Sequence, residues 1–595
     1  MSSLNHNSHK PRRKSRELGS AASHGLLYTD PVTQEKKPLF PLVGFLGPAK
    51  VTISKWIIFP IILMVVGLFR WATTFWGYSG HQKPPMFGDF EAQRHWMELT
   101  IHLPVSQWYF YDLKWWGLDY PPLTAYHSWV LGKIGSLVNP SFFELDTSRG
   151  LESEELKVFM RASVLLSEYA VYIPAAISFM RRFSHSQGVG KWDFLIAVTA
   201  VLMQPATILI DHGHFQYNTV MLGFVLASMS GLMADNLLWS CVWFIAALGF
   251  KQMALFFAPA IFAYLLGKCV FPKFSFGRLV SIAVTTIVSF AILCFPLLLG
   301  SLYNYRRGLP LPTTATGTPP PPLLSDLPFD IPDGSAIYPF VLQLSQAHHR
   351  IFPFARGLFE DKVANLWCAL HTFHKLHIYP SALLQHVSLA LTLLLILPPC
   401  IILFLKPQRS SIPLAFATTA WGFFLASYQV HEKNVLLPLL PMTVLLSGSG
   451  GLALRLRSWI GFANILAAWT LFPLLNRDGL AVPYVVLTLL WAWLLGLPPV
   501  SWHLYLPGRR VVDEPGLHWA EAIIHSAFYI AMVGWHICEA FIAPPYNKPD
   551  LWVVLNVLIG AAGFSLCYTW CLGMLMVQSG YWRNPFLSKP KVKFQ

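Results

Sequence analysis

Apolar runs of bilayer-crossing length recur along this 595-residue chain from residue 51 to residue 578. A helix needs about 20 apolar residues to traverse the hydrocarbon layer. Runs at or near that length occupy residues 51–76, 159–180, 192–210, 217–234, 237–267, 279–300, 381–404, 413–428, 435–449, 458–474, 481–497, 520–543 and 551–578. Lipid offers the backbone no hydrogen-bond partner, so such segments must satisfy themselves, as helices do. With the long run at 237–267 read as a pair broken near Lys251 and Gln252, the expected fold is an all-α polytopic membrane protein with about 14 transmembrane helices. The residue balance agrees: 54% of the chain is apolar and 12% is charged, where a soluble domain carries about 25% charged residues. A soluble enzyme, a disordered chain, a collagen and a disulfide scaffold are thereby excluded.

Orientation follows from Lys and Arg, which accumulate in short cytosolic loops. The tail at 1–50 carries Lys10, Arg12, Arg13, Lys14, Arg16, Lys36, Lys37 and Lys50 against Glu17, Asp30 and Glu35, and reads as a cytosolic basic tail. The first apolar run then acts as a signal anchor and not as a cleaved leader. The loops holding Lys406 and Arg409, Arg455 and Arg457, and Arg509 and Arg510 fall on the cytosolic side with the tail at 579–595. The nearly charge-balanced loops at 428–433, 476–479 and 543–550 face the other side, as do residues 77–122 and 301–379. The run at 123–138 is expected not to cross, because crossing would carry Arg181, Arg182 and Lys191 to the wrong side. Residues 51–578 thus form a single membrane body, with both termini cytosolic. Lys591 and Lys593, fifth and third from the end, resemble a dilysine endoplasmic-reticulum retrieval signal on a cytosolic tail.

The formal charge of +14 is spread over these loops and lies along no single face, so nucleic acid is not an expected partner. Eight cysteines sit in or beside apolar runs without a Cys-x-x-Cys, which reads as buried thiols and gives neither a metal site nor a disulfide framework. The segment at 309–324, with four consecutive prolines from Pro319 to Pro322, is a loop insertion in the second long lumenal segment. No Walker loop, no Gly-x-Gly-x-x-Gly and no Asp-x-Asp is present, so a nucleotide-sugar donor and an ATP-driven transporter are both disfavoured.

Chemistry concentrates in the first lumenal loop. Residues 77–122 interleave Asp89, Glu91, Glu98, Asp112 and Asp119 with Trp96, Trp108, Tyr109, Tyr111, Trp115, Trp116 and Tyr120. Aromatic faces stack on pyranose C–H faces while carboxylates hold sugar hydroxyls. The same aromatics also suit a membrane-interface belt. Elsewhere polar clusters interrupt apolar runs: Asp211-His212-Gly213-His214-Phe215-Gln216-Tyr217-Asn218, then Lys251-Gln252, then Gln429-Val430-His431-Glu432-Lys433. An ionisable group at membrane depth is expensive, so Lys251 reads as functional, with a structural pair as the alternative. For His212 and His214 a packing role stands beside ligand binding. The lumenal segment from His348 to Lys362 adds Arg350 and Arg356, which suit either a lipid-phosphate clamp or snorkelling anchors.

These residues also carry a resemblance. Gly88-Asp89-Phe90-Glu91-Ala92-Gln93-Arg94-His95-Trp96-Met97-Glu98 and Trp116-Gly117-Leu118-Asp119-Tyr120-Pro121-Pro122 resemble the dolichyl-phosphate-glucose-dependent glucosyltransferases of N-glycan precursor assembly. The clusters at 211–218, 250–254, 351–361 and 429–433 are similar to the same family in the same order. The Gly-Asp-Phe-Glu-Ala-Gln-Arg-His-Trp form resembles members that add the first glucose to the nine-mannose lipid-linked oligosaccharide. The Pro-rich segment and the basic tail depart from the family pattern.

The resemblance implies a C-type glycosyltransferase fold with a catalytic first lumenal loop in the endoplasmic-reticulum membrane. It implies a dolichyl phosphate glucose donor and a lipid-linked oligosaccharide acceptor, with no nucleotide site; no cofactor and no metal ligand is assigned, and whether a divalent ion assists stays open. Asp89 is then the base of a single inverting displacement giving an α1,3 linkage. Arg356, His431, Lys433 and Lys251 are expected to bind the donor phosphate. Glu98, Asp119, Trp96, His212, His214 and Gln252 are expected to bind acceptor or order the loop. A sister glucosyltransferase or mannosyltransferase of the same fold, or a transporter of lipid-linked sugars, would share much of this pattern.

Overall fold

The computed structural model describes residues 27–29, 36–52, 54–310, 331–332, 335–352, 362–502, 505 and 517–582. These residues are overwhelmingly helical; one short antiparallel ladder pairs Leu27–Thr29 with Lys36–Pro38. Six helical stretches are long and apolar enough to cross a membrane: Glu154–Ser186, Gln252–Val270, Phe276–Arg306, Ser381–Leu405, Leu454–Arg477 and Leu551–Gln578. The pair Lys191–Leu202 and Pro205–Phe215, bent by 42°, makes a seventh if taken as one span. Shorter apolar helices at Asn218–Met233, Leu237–Phe250 and Ala481–Leu494 pack among them. The protein is therefore a polytopic helical membrane protein.

Several apolar runs are shorter as helices than as sequence, and the cause is local. The run at 435–449 becomes a tight turn at Glu432–Val435, a helix at Leu436–Thr443 and a second tight turn at Val444–Ser447. Pro438 and Pro441 fall within that short helix, where each removes a backbone donor. The break expected near Lys251 is present. The helix Leu237–Phe250 stops at Lys251, which is extended at φ −141° and ψ 129°, before a tight turn over Gln252–Phe257 resumes the path. Thr124 donates its hydroxyl to the Phe250 carbonyl, satisfying a helix-end acceptor.

Burial separates inner helices from outer ones. Fourteen residues of Ile412–Ala426 are buried, so this helix is enclosed on all sides. The 31-residue helix Phe276–Arg306 buries only Leu297 and Ser301, and it presents Val280, Val284, Ile287, Ile292 and Phe295 outward. A helix that is apolar outside and spans about 46 Å at 1.5 Å per residue is a lipid-facing one. The buried core includes Trp421, Trp469 and Trp491, with Trp421 stacked on Phe564 at 4.9 Å between ring centroids.

Within the segment 77–122, residues Gly88–His102 form a helix whose side chains from Phe90 to Thr100 are all buried. It lies against the helix Pro122–Val138 and under the segment Tyr338–Ile351. The segment read as a loop is thus a helix and its flanking turns, packed on the membrane body.

Candidate active site

A tight turn places Asp89. Phe87 and Gly88 are both left-handed, at φ 57° and φ 65°, and launch the helix at Gly88. Gly80 and Gly88 touch backbone to backbone: a Cβ on Gly88 would lie 2.7 Å from the Gly80 nitrogen, and one on Gly80 would lie 2.0 Å from the Phe87 carbonyl oxygen. Asp89 is left in the first helical turn, where the helix dipole favours a negative charge, and its own N–H donates to Ser79 Oγ at 3.2 Å.

A second irregular turn brings donors to it. The chain from Pro205 widens into a π-helical turn over Leu209–Phe215 and ends at Phe215 with φ 87°; such widened turns recur at functional sites. Arg161 is fully buried and holds the turn by donating to the carbonyls of His212, Gly213 and Gly77. From there His214 Nε2 meets Asp89 Oδ2 at 2.8 Å, and Gln216 Nε2 donates to the same oxygen at 2.7 Å. The Lys433 ammonium also donates to Oδ2. Asp89 Oδ1 accepts no side-chain hydrogen bond among the described residues. Burial opposes ionisation of Asp89, but the Lys433 charge and the His214 bond outweigh it and hold the carboxyl well below the usual aspartate range.

Asp89 opens on a cavity of about 350 Å³ whose walls include Trp96, Trp116, Asp119, Tyr120, Lys251, Gln252, Arg350, His431 and Lys433. Lys251 Nζ donates to Gln216 Oε1 and Asn218 Oδ1, each at 2.7 Å, and lies 4.7 Å from the centre of the Tyr120 ring. These partners are neutral side-chain oxygens, and the same side chain lines the cavity. Asp211 orients Asn218, accepting from its side chain at 2.9 Å and from the Thr219 N–H at 2.6 Å. Arg350 donates to the carbonyls of Leu118 and Gly117 at 3.3 and 2.8 Å, tying the outer segment to the aromatic loop. Trp96 Nε1 donates to the Trp116 carbonyl at 2.8 Å, fixing one aromatic wall. Cationic groups, aromatic rings and the Asp89 carboxylate thus share one cavity, with Lys251 set over the Tyr120 ring.

The structure gathers Asp89, Trp96, Asp119, Lys251, Gln252, His431 and Lys433 around one cavity, and His214 contacts Asp89 from behind it. Two further candidates lie elsewhere. Glu98 is fully buried beside Arg94, 2.6 Å from its guanidinium, and accepts the Asp146 N–H. Burial opposes its ionisation, yet His95 and Arg94 hold its carboxyl down to about 2. His212 is 2.5 Å from Glu168, which also pairs with Arg70 at 2.7 Å. Both residues therefore brace the scaffold and do not line the cavity: Glu98 spends both oxygens on Arg94 and the Asp146 N–H, and His212 ties its Nε2 to Glu168. Arg356 lies outside the described residues. Lys433, expected as a phosphate ligand alone, is paired with Asp89.

Sequence reasoning gave no role of their own to Gln216, Asn218 or Asp478, and read Tyr120 and Arg350 only within the loop aromatics and the basic segment from His348 to Lys362. Asp478 contacts His214 Nδ1 at 2.5 Å across 264 positions of chain. Gln216 and Asn218 stand inside the singled-out 211–218 cluster, so their polar character beside an apolar run was the available signal. Asp478 had only its place in a short turn expected on the lumenal side. Among the described residues no group of three or more His, Cys, Asp and Glu side chains is placed to hold a metal ion.

The ALG6, ALG8 glycosyltransferase family profile matches residues 51–309 and 333–572. The chain belongs to this family. It is 43% identical over 538 residues to a probable dolichyl pyrophosphate Man9GlcNAc2 alpha-1,3-glucosyltransferase of Schizosaccharomyces pombe, covering 90% of this chain and 95% of the relative. It is 41% identical over 553 residues to the dolichyl pyrophosphate Man9GlcNAc2 alpha-1,3-glucosyltransferase of Saccharomyces cerevisiae, covering 89% and 93%. A Gallus gallus enzyme of the same name is 38% identical over 73% of this chain and 78% of its own. Both matched stretches of the ALG6, ALG8 profile contribute to the cavity, the first through Asp89 and Lys251 and the second through His431 and Lys433.

Proposed function

We propose that this protein transfers glucose from dolichyl phosphate glucose to the terminal mannose of the nine-mannose dolichyl-diphosphate-linked oligosaccharide, forming an α1,3 linkage by inversion in the endoplasmic-reticulum lumen. The observation that carries the reading is the cavity itself: a carboxylate anchored through one oxygen, its other oxygen taking no side-chain hydrogen bond among the described residues, in a wall shared with Lys251, Arg350 and Lys433. The likeness to three Man9GlcNAc2 alpha-1,3-glucosyltransferases supports the acceptor, and a dolichyl phosphate donor suits a site without any nucleotide-binding motif.

In the reaction, the acceptor hydroxyl oxygen attacks the anomeric carbon while its proton passes to Asp89 Oδ1. The bond between that carbon and the phosphate oxygen breaks, and its electron pair leaves with dolichyl phosphate. No general acid is needed, because the departing phosphate is already a stable anion. Its growing charge is met by hydrogen-bond donors placed in advance: Lys251, His431 and Lys433, with Arg356 as a further candidate. Trp96, Trp116 and Tyr120 supply faces for sugar rings, and Asp119 and Gln252 line the same wall.

A carboxyl held so acidic is a weak base, and Lys433 resolves the conflict. Before donor arrives its ammonium neutralises Asp89. The phosphate of a bound donor competes for that ammonium, weakening its hold on Asp89 and raising the basicity of the carboxylate when an acceptor can use it. Both substrates carry polyisoprenoid tails, which the lipid-facing exterior can accommodate. About 14 membrane crossings in a C-type arrangement, cytosolic termini and a lumenal cavity complete the reading.

The test is an assay of the purified full chain in detergent, with product read by mass. Dolichyl phosphate glucose with the nine-mannose lipid-linked acceptor should yield one added hexose, while UDP-glucose should yield none. Hexose transfer only to an acceptor that already carries one glucose would make it a sister enzyme. Lipid movement in liposomes without any glycosidic product would make it a transporter.

A further inference from the structure

Asp478 sits on a turn that the mechanism above does not use. It follows the helix Phe472–Arg477 and precedes left-handed Gly479 at φ 73°. The turn is pinned from outside: Lys83 donates to the Arg477 carbonyl, and a Cβ on Gly77 would lie 2.2 Å from the Asp478 carbonyl oxygen. The Asp478 side chain is 6% exposed, and its hydrogen-bonding partner among the described residues is His214 Nδ1 at 2.5 Å. The opposite ring nitrogen of His214 is 2.8 Å from Asp89 Oδ2 and 3.3 Å from Lys433 Nζ.

We infer that Asp478 is a positioning residue for glucosyl transfer, acting through His214 to fix the Asp89 carboxylate with Oδ1 toward the acceptor; this rests on Asp89 being the base. An ionised carboxylate only accepts, so the bond to Asp478 requires a proton on Nδ1. An ionised Asp89 likewise requires a proton on Nε2. The ring between two carboxylates is therefore an imidazolium, and Asp478 supplies the second negative charge that keeps it cationic beside the Lys433 ammonium. Without Asp478 the ring, crowded by Lys433, gives up a proton more readily, and a neutral ring that retains Nδ1–H has no donor for Asp89. Oδ2 then loses one of its three anchors and the aim of Oδ1 is relaxed.

The charged and titratable groups around His214 are Asp89 from the Gly88–His102 helix, Asp478 from its own turn and Lys433 from the turn Glu432–Val435, 3.3 Å from Nε2. Arg161 faces the backbone of the same turn, Glu168 and Arg70 hold His212, Lys251 reaches Gln216, and His431 lines the cavity. Among these, Asp478 is the group that touches His214 without lining the cavity.

The experiment compares the wild-type chain with D478N, D478E, H214Q and the D478N/H214Q pair, using dolichyl phosphate glucose and the nine-mannose acceptor across pH. D478N should lower kcat about tenfold or more, leave both KM values within about threefold and move the alkaline limb of kcat down by about one pH unit. D478E should recover most of the wild-type rate and profile. D478N in the H214Q background should add nothing, because the path runs through that ring. An unshifted profile in D478N, or independent additive losses in the pair, would overturn the inference while leaving Asp89 as base. Should D478N not fold, H214Q decides: keeping the wild-type alkaline limb would overturn it, and losing that limb would support it. A wild-type enzyme that makes no glycosidic bond would remove the reading beneath it.

Discussion

At the residue scale the site depends on how one carboxylate divides its oxygens. Three donors from two distant segments, His214 and Gln216 on one and Lys433 on the other, meet Asp89 Oδ2, and none of them occupies Oδ1. The pairing with Lys433 makes a prediction about pH. Burial raises the Asp89 pKa, and Lys433 is the largest opposing influence. In the donor-free enzyme Asp89 is accordingly ionised throughout the neutral range and protonates only below the ordinary aspartate value. Replacing Lys433 by Met removes the principal stabiliser of the charged form, so the folded pKa rises. The acid limb of kcat/KM, which reports the free enzyme, should move to higher pH by about one unit or more, with a raised donor KM. An acid limb that stays in place, measured as initial rates from pH 4 to 8, would contradict the pairing.

At the scale of elements the irregular turns matter more than the helices they interrupt. Two left-handed residues launch the Gly88–His102 helix, a π-turn aims His214, and an extended Lys251 breaks a span. Gly88→Ala tests the first of these. A Cβ at φ 65° is strained by about 1–2 kcal/mol, and here it would also press on the Gly80 backbone at 2.7–2.8 Å. The variant should lose glucosyl transfer at least about tenfold through a displaced Asp89, with a lowered unfolding temperature in detergent; equal activity and stability would show that the turn tolerates a side chain. The break at Lys251 was readable in the sequence because a lysine and a glutamine between apolar residues cannot sit comfortably in lipid. The burial of Glu98 was not readable: its Arg94 partner is one turn away on the same helix, but Ser148 and Asp146, which complete the cluster, come from a later loop. Asp478 was hidden for the same reason, since periodicity reports which face of a helix is apolar and says nothing of which distant turn will meet it.

For the whole molecule, the all-α membrane body followed from run length and hydropathy, because the bilayer leaves the backbone few solutions. The number of crossings was less legible, since Pro438, Pro441 and the polar residues at 251–252 divide apolar sequence into helices shorter than a bilayer. The assembled cavity draws on segments from Asp89 to Lys433, which no local pattern could join. Contact between Lys83 and the Arg477 carbonyl puts the loops at 83 and 477 at one end of the molecule. Single cysteines at Lys83 and Gly479, in a chain otherwise freed of reactive thiols, should therefore be protected together in sealed microsomes from an impermeant maleimide, while one at Arg409 is labelled. Labelling of Gly479Cys before the membrane is permeabilised would reverse the proposed orientation.

The most direct measurement compares wild type with Asp89→Asn, both purified folded, at saturating dolichyl phosphate glucose and nine-mannose acceptor, with product mass and anomeric configuration read together. Asparagine keeps the shape of the side chain but cannot accept the acceptor's proton with a carboxylate's basicity. The account predicts one α-linked glucose from the wild type, and a rate reduced about 100- to 10,000-fold in the variant with donor still bound. Near-normal turnover by Asp89→Asn, or a β-linked product, would contradict it.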